Sequence, residues 1–319
     1  ARLMEKALET LRLFRSRLAL PVDGFLDPNA TGIIGLEYSD LTTTTGALTA
    51  KRTSCNPAFA ALVARLLLQA GCARGDAVSV CFTGSFPALN VAVLSACAAL
   101  GLEARIISSV GASSYGANIP GFTWLDMEKE LRAAGVFPYI SVAVSYGGVV
   151  ETGGGLDGTG LILAGEAVSR HGAPLLEEGD YRDAARMAEH RKKILDAPGR
   201  PVCHINVGGA LAALGWVPEA AHLDNGLLRK IPSTQDPARG LIFRYMEEGI
   251  PVIHLLQVER LAARHALPYD PVPLPDAEEC LETGARKRAY LLLAALLCAW
   301  TLASLLLLRR EYDLYDLLV

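Results

Sequence analysis

Residues 77–101 read AVSVCFTGSFPALNVAVLSACAALG, and this stretch decides the fold. The apolar run at its start, 77–82, is typical of a buried β-strand. A turn follows at Thr83-Gly84-Ser85, Pro87 suits the first position of a helix, and Gly101 suits the position just after its end. The stretch therefore predicts a strand, a tight turn and a helix, which together form half of a β-α-β unit.

The same alternation continues on both sides of this unit. Helical segments separate further apolar runs, which predict strands at 32–38, 104–108, 139–145, 202–207 and 251–255. Strands that alternate with helices are typical of a parallel sheet with helices on both faces. We therefore predict an α/β body over 25–267 with a doubly wound, mostly parallel, Rossmann-like sheet. It forms either one unit or two packed halves that divide near 150–180.

Composition limits the classes of protein to consider. The 319 residues are 51% hydrophobic and 20% charged, which is typical of a folded chain rather than a disordered one. Nucleic-acid binding needs a basic surface, whereas 30 Lys plus Arg stand against 34 Asp plus Glu. We therefore expect no nucleic acid among the partners.

One segment near the C-terminus predicts contact with a membrane. Residues 289–308, AYLLLAALLCAWTLASLLLL, carry no charge, and a helix of that length spans about 30 Å, the thickness of the hydrocarbon core. Basic residues flank it at 286–288 and 309–310, as anchors at the headgroups do. We therefore predict a transmembrane helix over 286–310, with a short tail at 311–319.

Two more segments lie outside the predicted body. Residues 1–24 have the apolar stripe of an amphipathic helix and are predicted to form a stalk. Four prolines within 268–275 predict a semi-rigid, extended tether over 268–285. Inside the body, the helix predicted at 181–195 is charged on most faces, so we expect it to be exposed.

No cofactor or metal motif is present. The seven cysteines show neither a CxxC pair nor the spacing of metal ligands. The nucleotide-binding patterns GxxxxGK[ST] and GxGxxG after the first strand are also missing. We therefore predict no metal site and no cofactor.

Small hydroxyl residues and glycines gather directly after several predicted strands. In an open parallel sheet, ligands bind outside the carboxyl ends of the strands. Helix N-termini there present free N–H groups, and two neighbouring basic residues add charge, so an anionic ligand such as a carboxylate or phosphate is favoured. The predicted ligand-binding residues are Lys51, Arg52, Thr53, Ser54, Thr83, Gly84, Ser85, Ser109, Ser113, Asn118, Asn206, Gly208 and Gly209.

These residues also have a purely structural explanation, because turns and helix caps use Ser, Thr and Gly. A catalytic explanation exists as well. Ser85 lies at a strand-to-helix turn, and His254 follows it with Glu177 or Glu178 between them, in the order found in α/β-hydrolases. The glycines that flank the nucleophile in those enzymes are missing here. Ser85 and His254 are therefore the catalytic candidates, and a helix cap or ligand hydroxyl is the competing role for Ser85.

The sequence resembles the poly-gamma-glutamate system protein family. The resemblance is carried by GIIGLEYSDLTTTTGALTAKRTSCNPAFAALVARLLLQAG, VCFTGSFPALNVAVL, ISSVGASSYGANIPGFTWLDME, INVGG and GIPVIHLL. It implies a membrane-anchored protein associated with poly-gamma-glutamate biosynthesis. It also implies a further membrane helix before residue 1, which would place the body outside the cytoplasm. It carries over no catalytic residue.

Two functions fit these observations. In the first, the protein binds poly-gamma-glutamate or a gamma-glutamyl oligomer, or assembles at the membrane with itself or with the synthesis machinery. In the second, it is a hydrolase or transferase that acts on gamma-glutamyl amide bonds, with Ser85 or an activated water as the attacking group. The first is favoured, because the sequence lacks a complete catalytic motif.

Overall fold

The computed structural model describes residues 1–148, 151–176, 184–230, 234, 236–277, 290 and 292–305. The chain divides into two compact units, Ala1–Pro275 and Asp276–Val319. In the second unit, 292–305 are helical. No helix among the described residues is long and apolar enough to cross a membrane. Parts of the predicted span (286–289, 291 and 306–310) and the predicted tail 311–319 lie outside the described residues.

Strands and helices alternate along the first unit. The helices are α1 (Arg2–Arg17), α2 (Leu48–Ser54), α3 (Ala58–Ala70), α4 (Pro87–Leu100), α5 (Trp124–Ala133), α6 (Gly158–His171), α7 (Ala184–Asp196), α8 (Leu211–Leu214), α9 (Leu241–Glu247) and α10 (Val258–His265). The strands are β1 (Thr42–Thr44), β2 (Ala77–Phe82), β3 (Glu103–Ser109), β4 (Ala112–Ser113), β5 (Asn118–Ile119), β6 (Phe122–Thr123), β7 (Ala143–Ser145), β8 (Gly147–Gly148), β9 (Thr152–Gly154), β10 (Cys203–Val207), β11 (Gly226–Leu228) and β12 (Val252–Leu255).

A six-stranded sheet in the order β11-β12-β10-β2-β3-β7 forms the centre of this unit. The strands from β12 to β7 are parallel, and β11 pairs antiparallel with β12 at one edge. The chain moves outward from β2 to β3 and β7, then returns to the other side of β2 with β10 and β12. The order thus reverses between β2 and β10, and the crevice at such a reversal is where parallel sheets bind ligands.

Side chains of β2 alternate between two cores, as the period of a strand requires. Val78, Val80 and Phe82 pack in a core to which α3 and α4 contribute, whereas Cys81 belongs to a second core built with α7 and α9. Helices therefore cover both faces of the sheet. The prediction of a mixed α/β body with a mostly parallel sheet is confirmed.

The predicted strands differ in accuracy. Those at 77–82, 104–108, 202–207 and 251–255 correspond to sheet strands, and the one at 139–145 shortens to Ala143–Ser145. The strand predicted at 32–38 is wrong, since no described strand covers it. Its backbone instead bonds to Tyr115, which accepts from the N–H of Gly35 and donates to the carbonyl of Leu36. An apolar run predicts burial, and burial alone does not require a sheet partner.

Both ends of the first unit pack against its body. Helix α1, in the segment predicted to be a stalk, contacts α4 and α5 and buries Met4, Ala7 and Leu11 in the main core. The proline-rich segment predicted to be a tether lies within the same compact unit as far as Pro275. There, Asp270 forms an ion pair with Arg52. Residues 278–285 of that predicted tether lie outside the described residues.

The helix predicted to be exposed at 181–195 exposes only one face in its described part. Helix α7 buries Ala184, Met187, Ala188, Arg191 and Leu195. Arg191 lies on this buried face, because an ion pair with Glu151 allows a charged side chain to be buried.

We predict that α1 contributes to the stability of the first unit. Leu11 is fully buried, so Leu11→Ala should lower the free energy of unfolding by about 2–5 kcal/mol. Leu13 lies on the same helix with 47% of its surface exposed. Leu13→Ala should therefore change the free energy of unfolding by no more than about 0.5 kcal/mol. Urea unfolding of both variants measures the difference, and equal small effects would show that α1 is a detached stalk in solution.

Candidate functional site

A cavity of about 440 Å³ lies at the carboxyl ends of β2, β3, β7, β10 and β12. Loops that follow these parallel strands supply much of its wall, and α2 and the segment before it supply the rest. Six of the predicted site residues are in the wall: Lys51, Thr83, Ser85, Ser109, Ser113 and Gly209. The other lining residues are Thr43, Thr44, Thr45, Gly46, Phe86, Gly111, Gly147, Gly148, Glu151, Ala210 and Leu256.

Lys51 brings a basic side chain into this wall with only 2% of its surface exposed. Its Nζ donates to Ser113 Oγ at 2.6 Å and to the carbonyl of Ser85, and it lies 3.7 Å from the centre of the Phe86 ring. Within the described part of the chain, no carboxylate lies within ion-pair distance of this Nζ. Burial lowers the pKa of Lys51 from 10.5 to about 7. A lysine perturbed in this way beside a cavity is a functional-site candidate.

Ser113 and Ser85 form one hydrogen-bonded pair in the wall. Ser113 ends β4, whose parallel pairing with β1 places Thr44 opposite it. Its backbone N–H donates to Ser85 Oγ at 3.0 Å, so Ser85 orients the strand end that carries Ser113. Lys51 contacts the hydroxyl of Ser113 and only the carbonyl of Ser85. Of the two serine hydroxyls, therefore, only that of Ser113 is hydrogen-bonded to the Lys51 amine.

A glycine allows the loops after β2 and β10 to meet where the strand order of the sheet reverses. Gly208 has φ +97°, and a Cβ there would lie 2.4 Å from Thr83 Oγ1. Any other residue would be strained in its backbone and would also clash with Thr83. Gly84 is similarly confined, because its Cβ would lie 2.5 Å from the carbonyl oxygen of Val110. These glycines shape the crevice, and of the Gly208-Gly209 pair only Gly209 lines it.

A buried ion pair that the sequence analysis missed borders the cavity. Glu151 is 1% exposed, and its Oε2 accepts from Arg191 at 2.8 Å and from Ser145 Oγ at 2.9 Å. Its other oxygen, Oε1, is buried without a hydrogen-bond partner among the residues that the structure describes. Glu151 lies in the glycine-rich loop after β7, and a single acidic residue in such a loop was the available signal.

Several predicted site residues lie away from the cavity wall. Arg52 donates through Nε to Asp270 Oδ1 at 2.7 Å, and Thr53 Oγ1 accepts from the N–H of Asp270 at 2.8 Å. Ser54 Oγ donates to the carbonyl of Lys51 at 2.6 Å. The side chain of Asn118 joins the backbone of Leu36 to Thr42. Its Oδ1 accepts from the N–H of Leu36, and its Nδ2 donates to the carbonyl of Leu36 and to Thr42 Oγ1. These four residues hold the loops rather than line the cavity.

The predicted pairing of Ser85 with His254 is wrong. The Nδ1 atom of His254 lies 3.0 Å from Asn206 Nδ2, and Asn206 in turn donates to the carbonyl of Gly208 at 2.8 Å. Burial lowers the pKa of His254 to about 4, which keeps it neutral. His254 and Asn206 face each other from neighbouring strands in the sheet, and neither lines the cavity. Glu177 and Glu178, the acids predicted with them, lie outside the described residues.

Comparisons of the chain with protein-family models, curated proteins and solved structures found no match. The chemistry of the cavity is therefore argued from its own side chains. Its wall combines one buried amine, several hydroxyls and one buried carboxylate that already has a cationic partner.

We predict that buried Lys51 makes stability depend on pH in a defined window. The amine binds a proton with a pKa near 10.5 when unfolded and about 7 when folded, so the unfolded state holds more protons between these values. The free energy of unfolding should therefore rise with pH across that window, and the penalty should be complete below it. In Lys51→Met this contribution disappears.

The measurement is urea unfolding of wild type and Lys51→Met at several pH values. Contributions from tyrosines and cysteines are common to both proteins and cancel in the difference. The advantage of the methionine variant should be largest near pH 6 and should shrink toward pH 10. A difference that does not change with pH would show that the amine is solvated in the folded protein.

Proposed function

We propose that the cavity binds a ligand that carries a free carboxylate. The observation that carries this proposal is Lys51, a buried ammonium group in the cavity wall that is held by neutral groups. A buried charge without an ionic partner is costly, and an anionic ligand would supply that partner at this position. The positive end of α4, which begins at Pro87 just after Ser85 and Phe86, adds to the attraction for an anion.

The volume of the cavity limits how much ligand it holds. About 440 Å³ falls within the range of roughly 300–1,000 Å³ that is usual for small-molecule sites. A chain end or a short segment fits this volume better than a length of polymer does. We therefore propose a terminal gamma-glutamyl segment, in agreement with the family resemblance, which points to poly-gamma-glutamate.

Glu151 bears on the choice among anions. Arg191 already balances its charge, and its free Oε1 can accept a hydrogen bond from a ligand N–H. Inorganic phosphate is anionic on every side and donates only through a residual O–H, whereas a gamma-glutamyl unit carries a carboxylate and, separate from it, an amide or amine N–H. The combination of Lys51 and Glu151 therefore favours a gamma-glutamyl ligand over an inorganic anion.

We predict that a short gamma-glutamyl oligomer binds through Lys51. Lys51→Met should weaken binding by at least about tenfold, because a hydrogen bond to a charged group contributes about 1.5–3 kcal/mol. Arg52→Gln is the matched control, since Arg52 is the next residue and bonds to Asp270 outside the cavity wall. Isothermal titration calorimetry measures both variants against wild type.

The same titration with inorganic phosphate tests the choice of ligand. Tighter binding of phosphate than of the oligomer would contradict the role given to Glu151. Equal losses of affinity for the oligomer in the Lys51 and Arg52 variants would contradict the proposal that Lys51 binds its carboxylate.

We further propose that the body is a Rossmann-like, doubly wound domain of a membrane-anchored protein in poly-gamma-glutamate biosynthesis or export, exposed outside the cytoplasm. The uncharged segment 289–308 with its basic flanks supports the anchor, and the family resemblance supports the pathway. Contact with the synthesis machinery or with further copies of the chain fits the same proposal.

The anchor predicts a difference between two forms of the protein. The full chain should sediment with membranes and require detergent for extraction, whereas a chain ending at Pro275, where the first compact unit ends, should stay in the supernatant. Ultracentrifugation of cell lysates measures this. A full chain that remains in the supernatant without detergent would remove the anchor from the proposal and leave the binding site intact.

A further inference from the structure

Ser113 and Lys51 form a hydroxyl–amine pair inside the cavity. Their Oγ and Nζ atoms are 2.6 Å apart, and both residues line the cavity while exposing no more than 5% of their surface. A nucleophile within hydrogen-bond reach of its base is the geometric signature of nucleophilic catalysis, and serine with lysine is one known form of it.

We propose that Ser113 is a nucleophile and Lys51 its general base, and that together they cleave an acyl bond of the ligand in the cavity. The identity of the substrate, a gamma-glutamyl amide, rests on the function proposed above. The pairing itself rests only on the geometry of the two side chains. It replaces Ser85, whose hydroxyl accepts from the N–H of Ser113 and contacts no basic group among the described residues.

Ser113 is also distinguished from the third serine of the wall. Ser109 Oγ donates to the carbonyl of Phe82 at 3.4 Å and makes no contact with Lys51. The backbone of Ser113 is fixed by β1 and by Ser85 Oγ. The segment before α2 closes against it as well, since a Cβ on Gly46 would lie 3.0 Å from Ser113 Oγ. The hydroxyl is therefore positioned before any ligand binds.

The amine can act as a base near neutral pH. Burial sets the pKa of Lys51 at about 7, so a large share of it is neutral there. The other titratable groups around it are the pair Glu151–Arg191 at the cavity, the pair Arg52–Asp270 outside its wall, the buried Asp27 carboxylate, which accepts from the N–H of Gly32, and the buried Cys55 thiol, whose pKa burial raises. Both ion pairs are internally balanced, so neither holds Lys51 in its charged form.

The reaction proceeds in two balanced steps. Ser113 Oγ attacks the carbonyl carbon while its proton passes to Lys51; the carbon–nitrogen bond then breaks, and the leaving amine takes that proton. The product is an ester on Ser113. Water then attacks the ester, gives a proton to Lys51, and releases a carboxylic acid; Lys51 returns the proton to Ser113 Oγ. Water is the only co-reactant, and no oxidation or reduction occurs.

A fluorophosphonate probe tests the pair on the full chain without depending on the natural ligand. Ser113 Oγ should attack phosphorus, fluoride should leave, and peptide mass spectrometry should locate the label on Ser113. The rate should rise roughly tenfold between about pH 6 and pH 8, as the fraction of neutral Lys51 does. In Lys51→Met it should fall by at least about a hundredfold, whereas Arg52→Gln should label as wild type does.

Lys51→Arg separates this proposal from the binding proposal. Arginine keeps the charge and the donor toward Ser113 but does not release a proton in this pH range. The variant should therefore bind the gamma-glutamyl oligomer and lose labelling of Ser113. Melting temperatures of all variants identify any that fail to fold, and Ser113→Ala should abolish the label while keeping a folded protein.

The outcomes distinguish the two proposals. Labelling of Ser113 that persists in Lys51→Arg, or a wild-type protein labelled at other serines only, would overturn the catalytic pair. Oligomer binding that depends on Lys51 would survive such a result. Conversely, Lys51-dependent labelling without binding of the oligomer would uphold the pair and reject the gamma-glutamyl ligand.

Discussion

The burial of one amine governs the arrangement of this site. Moving an ammonium group out of water costs several kcal/mol unless polar groups replace the lost water. Here the replacements are the Ser113 hydroxyl, the Ser85 carbonyl and the face of the Phe86 ring. Each contributes less than a carboxylate would, and the low pKa of Lys51 reflects this deficit. The free energy of unfolding is therefore lower than that of a protein with methionine at position 51. Such a loss of stability is common at functional sites.

The sheet explains why those groups meet. Parallel strands end at one edge, and a crevice lies there where the strand order reverses between β2 and β10. The loops after β2 and β3 then deliver Ser85 and Ser113 to one wall, and α2 brings Lys51 to the same place. Gly208 is required because the loop after β10 passes so close to Thr83.

The sequence allowed the sheet edge to be predicted but not the orientation of each side chain. Thr83, Ser85 and Ser109 lie at that edge as expected, because strand ends can be predicted from apolar runs. Lys51 lines the cavity and Arg52 does not, because consecutive residues of a helix point about 100° apart. The acidic residue Glu151 was visible in its glycine-rich loop, but its pairing with Arg191, 40 residues away, has no local signal, and so the ion pair was missed. The same limit explains Arg52, whose partner Asp270 is more than two hundred residues away.

The two roles proposed for Lys51 require opposite protonation states. As an ammonium group it holds a carboxylate, and as an amine it takes the proton of Ser113. A pKa of about 7 leaves both forms present near neutral pH, so carboxylate binding should weaken with rising pH while nucleophilic attack accelerates. A bound carboxylate would raise the pKa of Lys51 and withdraw the base. Cleavage of a gamma-glutamyl amide creates such a carboxylate beside Ser113, which makes the product an inhibitor of the reaction that forms it. A substrate whose carboxylate occupies Lys51 is therefore bound but not attacked, whereas one that places an uncharged amide there leaves the amine free to take the proton of Ser113.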